Sequence, residues 1–362
     1  MIPMVDLKTQ YKTLKSEIDQ NILTALENAQ FVLGPNVKEF EREAAKYLSV
    51  KHAISCASGT DALHLALIAA GIGEGDEVIT TSFTFIATAE AICYVGATPV
   101  FVDVLPDSFN IDPKCIKAAI TSKTKAILPV HIFGQPANMD AIMAIAKSNS
   151  LKVIEDCAQS FGAAIKGNMT GGIGLAGCHS FFPSKNLGCY GDGGMITTND
   201  DAIAEKLLSL RNHGSSVRYH HDIIGYNSRL DELQAVILRA KLNNIKSYND
   251  NRRRVGLLYS ELLKEFVQPP IEDGIGTHVY HQYTVLTDKR DQIMAALSKN
   301  DIACAIYYPI PLHKQNVFKD QCANINLPVT DKIVAQCMSL PVFPELSDEQ
   351  VKSIVAVIGQ CF

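Results

Sequence analysis

The 362-residue sequence predicts an α/β protein with a largely parallel, seven-stranded central sheet and a smaller C-terminal α+β domain. Three observations carry that prediction. From residue 52 to about 199, short β-rich runs alternate with helix-like runs. Several β-rich runs, such as Val153-Ile-Glu-Asp156 and Ala126-Ile-Leu-Pro-Val130, are apolar on both faces, as a sheet covered on two sides requires. After residue 230 the alternation gives way to longer amphipathic stretches.

Taken in order, residues 11–28 read as a helix. Strands are predicted over 52–56, 77–81, 99–104, 126–133, 151–157, 178–182 and 194–198. Helices are predicted between them over 61–70, 87–94, 113–120 and 140–148. Asp112-Pro113 is a strong helix start, because the carboxylate can cap the first free amides and proline suits the first helical position. Residues 231–248 read as one long helix and 251–265 as another. The remainder mixes short strands with helices over 288–299 and 348–359. A division follows into residues 1–245, an N-terminal segment and large domain, and residues 246–362.

Composition narrows the function classes. Lys and Arg number 33 against 38 Asp and Glu, a net charge of −5, which lacks the basic footprint of a nucleic-acid binder. The most apolar stretch, near residues 62–70, carries His64 and soon meets Gly71 and Glu74, so no membrane span is expected. The first residues show no basic stretch followed by an apolar one, and a cytoplasmic protein is expected. Ten cysteines are scattered without a C-x-x-C pair, and no H-E-x-x-H occurs. Reduced thiols and no metal site are the expectation.

In open α/β sheets ligands bind beyond the carboxyl ends of the strands. Three such ends stand out. Ala57-Ser-Gly-Thr-Asp61 opens a helix with Gly59, the Thr60 hydroxyl and free amides, a cradle for an anion as well as an ordinary helix cap. Asp156, with Gln159 three residues on, ends another strand. It can cap the next segment or hold a protonated ring nitrogen. Cys178-His-Ser-Phe-Phe-Pro183 leads into Ser184-Lys185-Asn186 and a glycine-rich loop. Any one of these is commonplace. Together they supply a phosphate cradle, a carboxylate for a pyridinium nitrogen and a lysine able to hold an aldehyde as an imine, the groups that pyridoxal 5'-phosphate requires. Phe85 is placed to stack on such a ring, although a core phenylalanine reads the same way. Gly172-Ile-Gly174-Leu-Ala-Gly177 fits a dinucleotide fingerprint formally. It follows a polar segment and leads into a β-rich one, so a turn or lid loop fits better.

At these residues the chain resembles the nucleotide-sugar aminotransferases of the DegT/DnrJ/EryC1/StrS family, of the aspartate aminotransferase fold (fold type I). The matching stretches are Ser58-Gly-Thr-Asp-Ala-Leu-His-Leu-Ala-Leu, Thr84-Phe-Ile-Ala-Thr-Ala, Pro129-Val-His-Ile-Phe-Gly-Gln, Ile154-Glu-Asp-Cys-Ala-Gln-Ser, Phe181-Phe-Pro-Ser-Lys-Asn-Leu-Gly, Gly191-Asp-Gly-Gly and Gly225-Tyr-Asn-Ser-Arg-Leu-Asp-Glu-Leu-Gln-Ala. The resemblance implies that Lys185 is the Schiff-base lysine, Asp156 the partner of the pyridine nitrogen and Gln159 a neighbour of the ring's phenolic oxygen. It implies Gly59, Thr60 and Ser180 as phosphate ligands and Phe85 as the stacking aromatic. It implies a homodimer with shared sites, in which Asn227 touches the neighbour's cofactor phosphate and Arg229 its substrate. Tyr307, Tyr308 and His313 fall where the family lines its sugar pocket. The implied substrates are L-glutamate and a nucleotide-linked keto sugar, UDP-2-acetamido-2-deoxy-3-keto-glucuronate for bacterial O-antigen synthesis. The alternative is a dTDP- or GDP-linked 3- or 4-keto-deoxy sugar.

Overall fold

A computed structural model describes residues 1–362. The central sheet has seven strands: β1 (His52–Cys56), β2 (Glu77–Thr81), β3 (Thr98–Val102), β4 (Thr124–Leu128), β5 (Lys152–Asp156), β6 (Ala176–Ser180) and β7 (Gly194–Thr198). Their order across the sheet is β1-β7-β6-β5-β4-β2-β3. Strands β2 to β6 pair in parallel, and β7 runs antiparallel to both β1 and β6. The expected strands are all present: 52–56, 77–81 and 194–198 have the expected bounds, and the ends of the other four are shifted by one to five residues.

Successive residues of the parallel strands enter different cores, which is the physical content of a run apolar on both faces. Val78, Leu128 and Ile154 join a cluster with Leu63, Ala66 and Leu67 of helix α3 (Gly59–Ala69), which follows α1 (Leu7–Asn28) and α2 (Pro35–Leu48) in the chain. Their chain neighbours Ile79, Ile127 and Val153 join a second cluster with Ile116 and Ile142 on the opposite face. Fully burying such a side chain contributes about 1.5–3 kcal/mol, so both faces hold the sheet flat against its helices. Ser58 starts α3 by accepting the Asp61 N–H at 3.1 Å, and Asp112 starts the helix Pro113–Ala119 by accepting the Lys114 N–H at 2.8 Å.

Beyond residue 230 the helical boundary differs from the expectation. One helix covers Glu232–Leu242 and a second covers Ile245–Leu263, so the break falls at Asn243-Asn244 rather than near residue 249. Asn244 turns its side-chain amide back onto the Ala240 carbonyl at 3.2 Å, local bonding that competes with helix continuation. A further core gathers Val255, Tyr259, Tyr283, Met338, Leu340 and Ile354 around a two-stranded antiparallel sheet of Tyr283–Leu286 and Cys337–Leu340. Ile2 and Val5 pack against this core. No helix is long and apolar enough to cross a membrane.

Candidate active site

The carboxyl ends of β2, β5 and β6 open on a cavity of about 570 Å³. Nine of the twelve residues singled out from the sequence line it: Gly59, Thr60, Phe85, Asp156, Gln159, Ser180, Lys185, Tyr307 and Tyr308. They arrive from four separate loops and from a segment beyond residue 300, so only the folded sheet brings them together.

Asp156 ends β5 with its carboxylate buried. One oxygen accepts the Thr88 hydroxyl at 2.8 Å and the other the Ala158 N–H at 3.1 Å. Burial still pushes this carboxyl above its ordinary pKa, against the pull of those two donors and of the Lys185 charge. Lys185 sits in the turn after β6, half-buried, and its amine bonds to no protein group. Burial pushes it down to about 8, with Asp156 opposing. An under-compensated acid and a softened amine share one cavity, an arrangement typical of sites built for a charged partner.

The rest of the wall is polar at one end and aromatic at the other. The N–H groups of Gly59 and Thr60 head α3 without a protein acceptor, beside the hydroxyls of Thr60 and Ser180. A side chain at Gly59 would bring a Cβ to 2.5 Å from the Ser180 Cβ, so the helix start can lie against the serine side chain at the strand end only because residue 59 lacks one. Phe85 is 55 % exposed, and its ring lies 6.2 Å from that of Tyr308. Gln159 accepts the Phe133 N–H at 2.6 Å and donates to the Tyr308 hydroxyl at 2.9 Å, which fixes the direction of its amide and leaves its second N–H uncommitted.

These features fit pyridoxal phosphate. Free amides at a helix start suit the phosphate, the buried acid calls for a cation such as a protonated ring nitrogen, and the softened lysine suits an aldehyde.

Three expected residues do not line the cavity. His313 is buried behind it. Its Nδ1 pairs with the Ser82 hydroxyl at 2.7 Å and its backbone N–H donates to the same oxygen at 3.1 Å, so it pins the segment after Tyr308 to the end of β2. Asn227 is exposed, and Arg229 donates to the Asn212 side chain at 2.9 Å. Between them Ser228 donates to Asp61 at 2.5 Å and accepts the Ala57 N–H at 3.2 Å, which docks this segment against the phosphate-side loop.

The glycine-rich decoy also resolves. The amides of Gly171, Ile173 and Gly174 donate to the buried Glu155 carboxylate at 3.0, 2.9 and 2.7 Å. The loop does cradle an anion, but the anion is the protein's own. Glu155 further accepts from His131 Nε2 at 3.0 Å, because the Ala137 N–H occupies Nδ1 of that ring. Burial works to raise the Glu155 pKa, and the His131 bond with these amides outweighs it and holds the carboxyl below its ordinary value. His131, Glu155 and Cys157 come within 4.8 Å of one another, yet both imidazole nitrogens are spoken for, which leaves no ring lone pair for a cation.

Residues missed from the sequence are Thr88, Asn186 and His281. Thr88 follows Thr84 by one helical turn, and Asn186 follows the lysine itself, so both signals were present. His281 comes from a distant segment with only the His278-Val-Tyr-His281 pattern to mark it.

Known proteins resemble this chain along almost its whole length. The chain is 52% identical over 358 residues to the UDP-N-acetyl-3-dehydro-α-D-glucosamine 3-aminotransferase of Acidithiobacillus ferrooxidans, covering 99% of this chain and 97% of that one. It is 46% identical over 359 residues to the UDP-2-acetamido-2-deoxy-3-oxo-D-glucuronate aminotransferase of Pseudomonas aeruginosa, covering 99% of each. Among solved structures, S. venezuelae DesV superposes with a TM-score of 0.97 at 38% identity, covering 99% of this chain and 98% of that one. A profile of the DegT/DnrJ/EryC1/StrS aminotransferase family matches residues 12–359, and the chain belongs to that family of pyridoxal phosphate-dependent aminotransferases.

Proposed function

We propose that this enzyme transfers the amino group of L-glutamate to C3 of a UDP-linked 2-acetamido-3-keto sugar, UDP-2-acetamido-2-deoxy-3-keto-glucuronate, for surface-polysaccharide synthesis. The observation that carries the reading is the meeting of Lys185 and Asp156 in one cavity beyond the strand ends. The A. ferrooxidans and P. aeruginosa relatives support the choice of sugar, since both are named for a UDP-linked 3-keto substrate.

Bound pyridoxal phosphate supplies an aldehyde that exchanges amines and a ring that delocalises a carbanion's electrons. The chain's own residues do the rest. The Gly59 and Thr60 amides with the Thr60 and Ser180 hydroxyls bind the phosphate. Asp156 holds a proton on the ring nitrogen, and Phe85 covers a ring face. Lys185, softened by burial, takes the proton from the donor's α-carbon onto Nζ and returns one at the carbon that bears nitrogen. Run forward with glutamate and in reverse with the keto sugar, the same two proton transfers give ping-pong kinetics.

The diphosphate of the sugar nucleotide needs cations, and Lys185 is the one Lys or Arg on the cavity wall. Arg218 and Arg229 lie in a segment with exposed Val217, Tyr219 and Ile224. That combination supports a homodimer in which each chain lends this segment to its partner's site.

The test is incubation of the purified enzyme with glutamate and a panel of keto sugars: the UDP-linked 3-keto-glucuronate, its 3-keto-glucosamine counterpart, and dTDP- and GDP-linked 3- and 4-keto-deoxy sugars. The reading expects 2-oxoglutarate release and a 3-amino product with the glucuronate. Turnover confined to the deoxy sugars would establish the alternative.

A further inference from the structure

One imidazole on the cavity wall has a lone pair that no role above uses. His281 is 4 % exposed, and it lines the cavity shared with Lys185. Asn186, next to Lys185 in the chain, sets the ring's protonation. Its amide nitrogen donates to Asn249 Oδ1 at 2.8 Å and to the Val279 carbonyl at 2.9 Å, so its Oδ1 faces His281 Nδ1 at 3.3 Å. A carbonyl oxygen only accepts, so Nδ1 carries the proton and Nε2 keeps its lone pair. Nε2 bonds to no protein group, and it is open to the cavity, unlike the sealed Nε2 of His313.

The charged groups around the ring are Lys185 and Asp156 on the cavity wall, and Arg252 behind it, whose Nη1 reaches the His281 carbonyl at 3.5 Å. Burial, with Lys185 and Arg252 adding to it, holds the imidazole well below its ordinary pKa, so the ring is neutral in the working range.

We propose that His281 is a positioning residue for the proton transfer: its Nε2 accepts a hydrogen bond from the Lys185 Nζ–H once the donor has displaced that amine in the cofactor-loaded enzyme. The inference rests on the aminotransferase reading of the site. A neutral primary amine has two N–H bonds and one lone pair. Giving one N–H to a fixed acceptor leaves the lone pair aimed in one direction. No proton passes to His281; it moves from the donor's α-carbon to Nζ, and from Nζ to the carbon that takes over the nitrogen. Once Nζ holds that proton the bond becomes charge-assisted, which favours the protonated amine during transfer. Because Asn186 adjoins Lys185, the same short segment sets both partners.

The test uses the full-length holoenzyme and two variants, with cofactor content and circular dichroism checked for each. His281→Phe keeps an aromatic ring and removes the acceptor; His281→Gln places an acceptor oxygen near the position of Nε2. Loss of aim predicts that the glutamate half-reaction slows about 10²-fold in His281→Phe, with a larger isotope effect for α-deuterated glutamate. His281→Gln recovers at least about tenfold of that loss. A second readout does not depend on turnover. In the wild-type enzyme with its cofactor in the amine form, long-range ¹H–¹⁵N spectra show a neutral Nδ1–H ring whose Nε2 resonance moves on Lys185→Ala.

The proposal is overturned if His281→Phe reacts within about threefold of wild type. It is equally overturned if both variants lose the same rate with an unchanged isotope effect, or if the Nε2 resonance ignores Lys185→Ala. A wild-type enzyme that ignores glutamate and accepts another amino donor refutes the donor assignment alone, and the variants are then compared on that donor. A wild-type enzyme that accepts no donor refutes the aminotransferase reading, while the spectra still decide the hydrogen bond.

Discussion

Thr88→Val removes one buried hydroxyl and keeps its shape, so it isolates a single hydrogen bond. Thr88 lies in the first turn of the helix Ala87–Tyr94. It donates to Asp156 at 2.8 Å and meets the Thr84 hydroxyl at 3.1 Å. An ionised carboxylate only accepts, so the relay runs from Thr84 to Thr88 to Asp156. A bond to a buried charge contributes about 1.5–3 kcal/mol, and about 2 kcal/mol corresponds to roughly 30-fold in an equilibrium constant.

Where that factor appears depends on pH. Burial already raises the Asp156 pKa, and losing Thr88 raises it further. With the cofactor bound, the protonated ring nitrogen keeps the carboxylate ionised, so the variant is weakened at every pH. Without the cofactor, the carboxylate suffers only above its pKa; below it the protonated acid has little need of Thr88. The cofactor's dissociation constant is the difference between those two states. It rises about 30-fold at pH values below the free Asp156 pKa and returns towards wild type above the variant's raised pKa. Cofactor titration of the resolved protein across the pH range measures this, with Thr88→Ser as the control that keeps a hydroxyl. A defect that does not change with pH, or a Ser variant as impaired as Val, would refute the reasoning.

Lys185, pushed down to about 8, reacts with a small aldehyde in the cofactor-free protein with a midpoint near that pH rather than at the ordinary lysine value; Lys185→Ala abolishes this reaction and lowers turnover by about 10⁴-fold. Gly59→Ala forces a Cβ to 2.5 Å from Ser180, so pyridoxal phosphate binds at least about tenfold more weakly while the phosphate-free aldehyde is little affected, as competition titrations would show. Glu155→Gln leaves buried donors facing an amide and lowers unfolding free energy by about 3–5 kcal/mol at neutral pH in denaturant titrations. Because the Glu155 pKa is depressed, its contribution is complete above the ordinary carboxylate value, and wild type and variant converge as pH falls through the depressed one. Arg229→Ala and Lys185→Ala chains, each inactive alone, recover partial activity when mixed into verified heterodimers, since one site then carries both native residues; no recovery would count against shared sites.

How much of this was legible in the sequence follows from how local each signal is. The sheet was legible because burial on both faces is written into consecutive residues, as with Ile127-Leu128 and Val153-Ile154, which need no partner to be recognised. The cavity-lining residues were legible because they stand at or within a few residues of strand ends, where an α/β sheet presents ligand groups. Three things were not. The helix break at Asn243-Asn244 is a contest between side-chain and backbone bonding that a periodicity of apolar positions does not register. His313 carries the right residue type in the right neighbourhood, but Ser82, more than two hundred positions earlier, captures its ring and turns it from a wall residue into a clasp. His281 illustrates the converse. Only a second histidine three residues earlier marks it in the chain, and its value as an acceptor depends on Asn186, whose own amide is oriented by Asn249 and Val279. The tautomer of that ring is therefore a property of three segments meeting, and only a folded structure can state it. This is also why Lys185 alone is an incomplete description of the site: its strand and turn place the amine, but the direction of the amine's lone pair is set by His281, which arrives from the segment beyond the helix Ile245–Leu263.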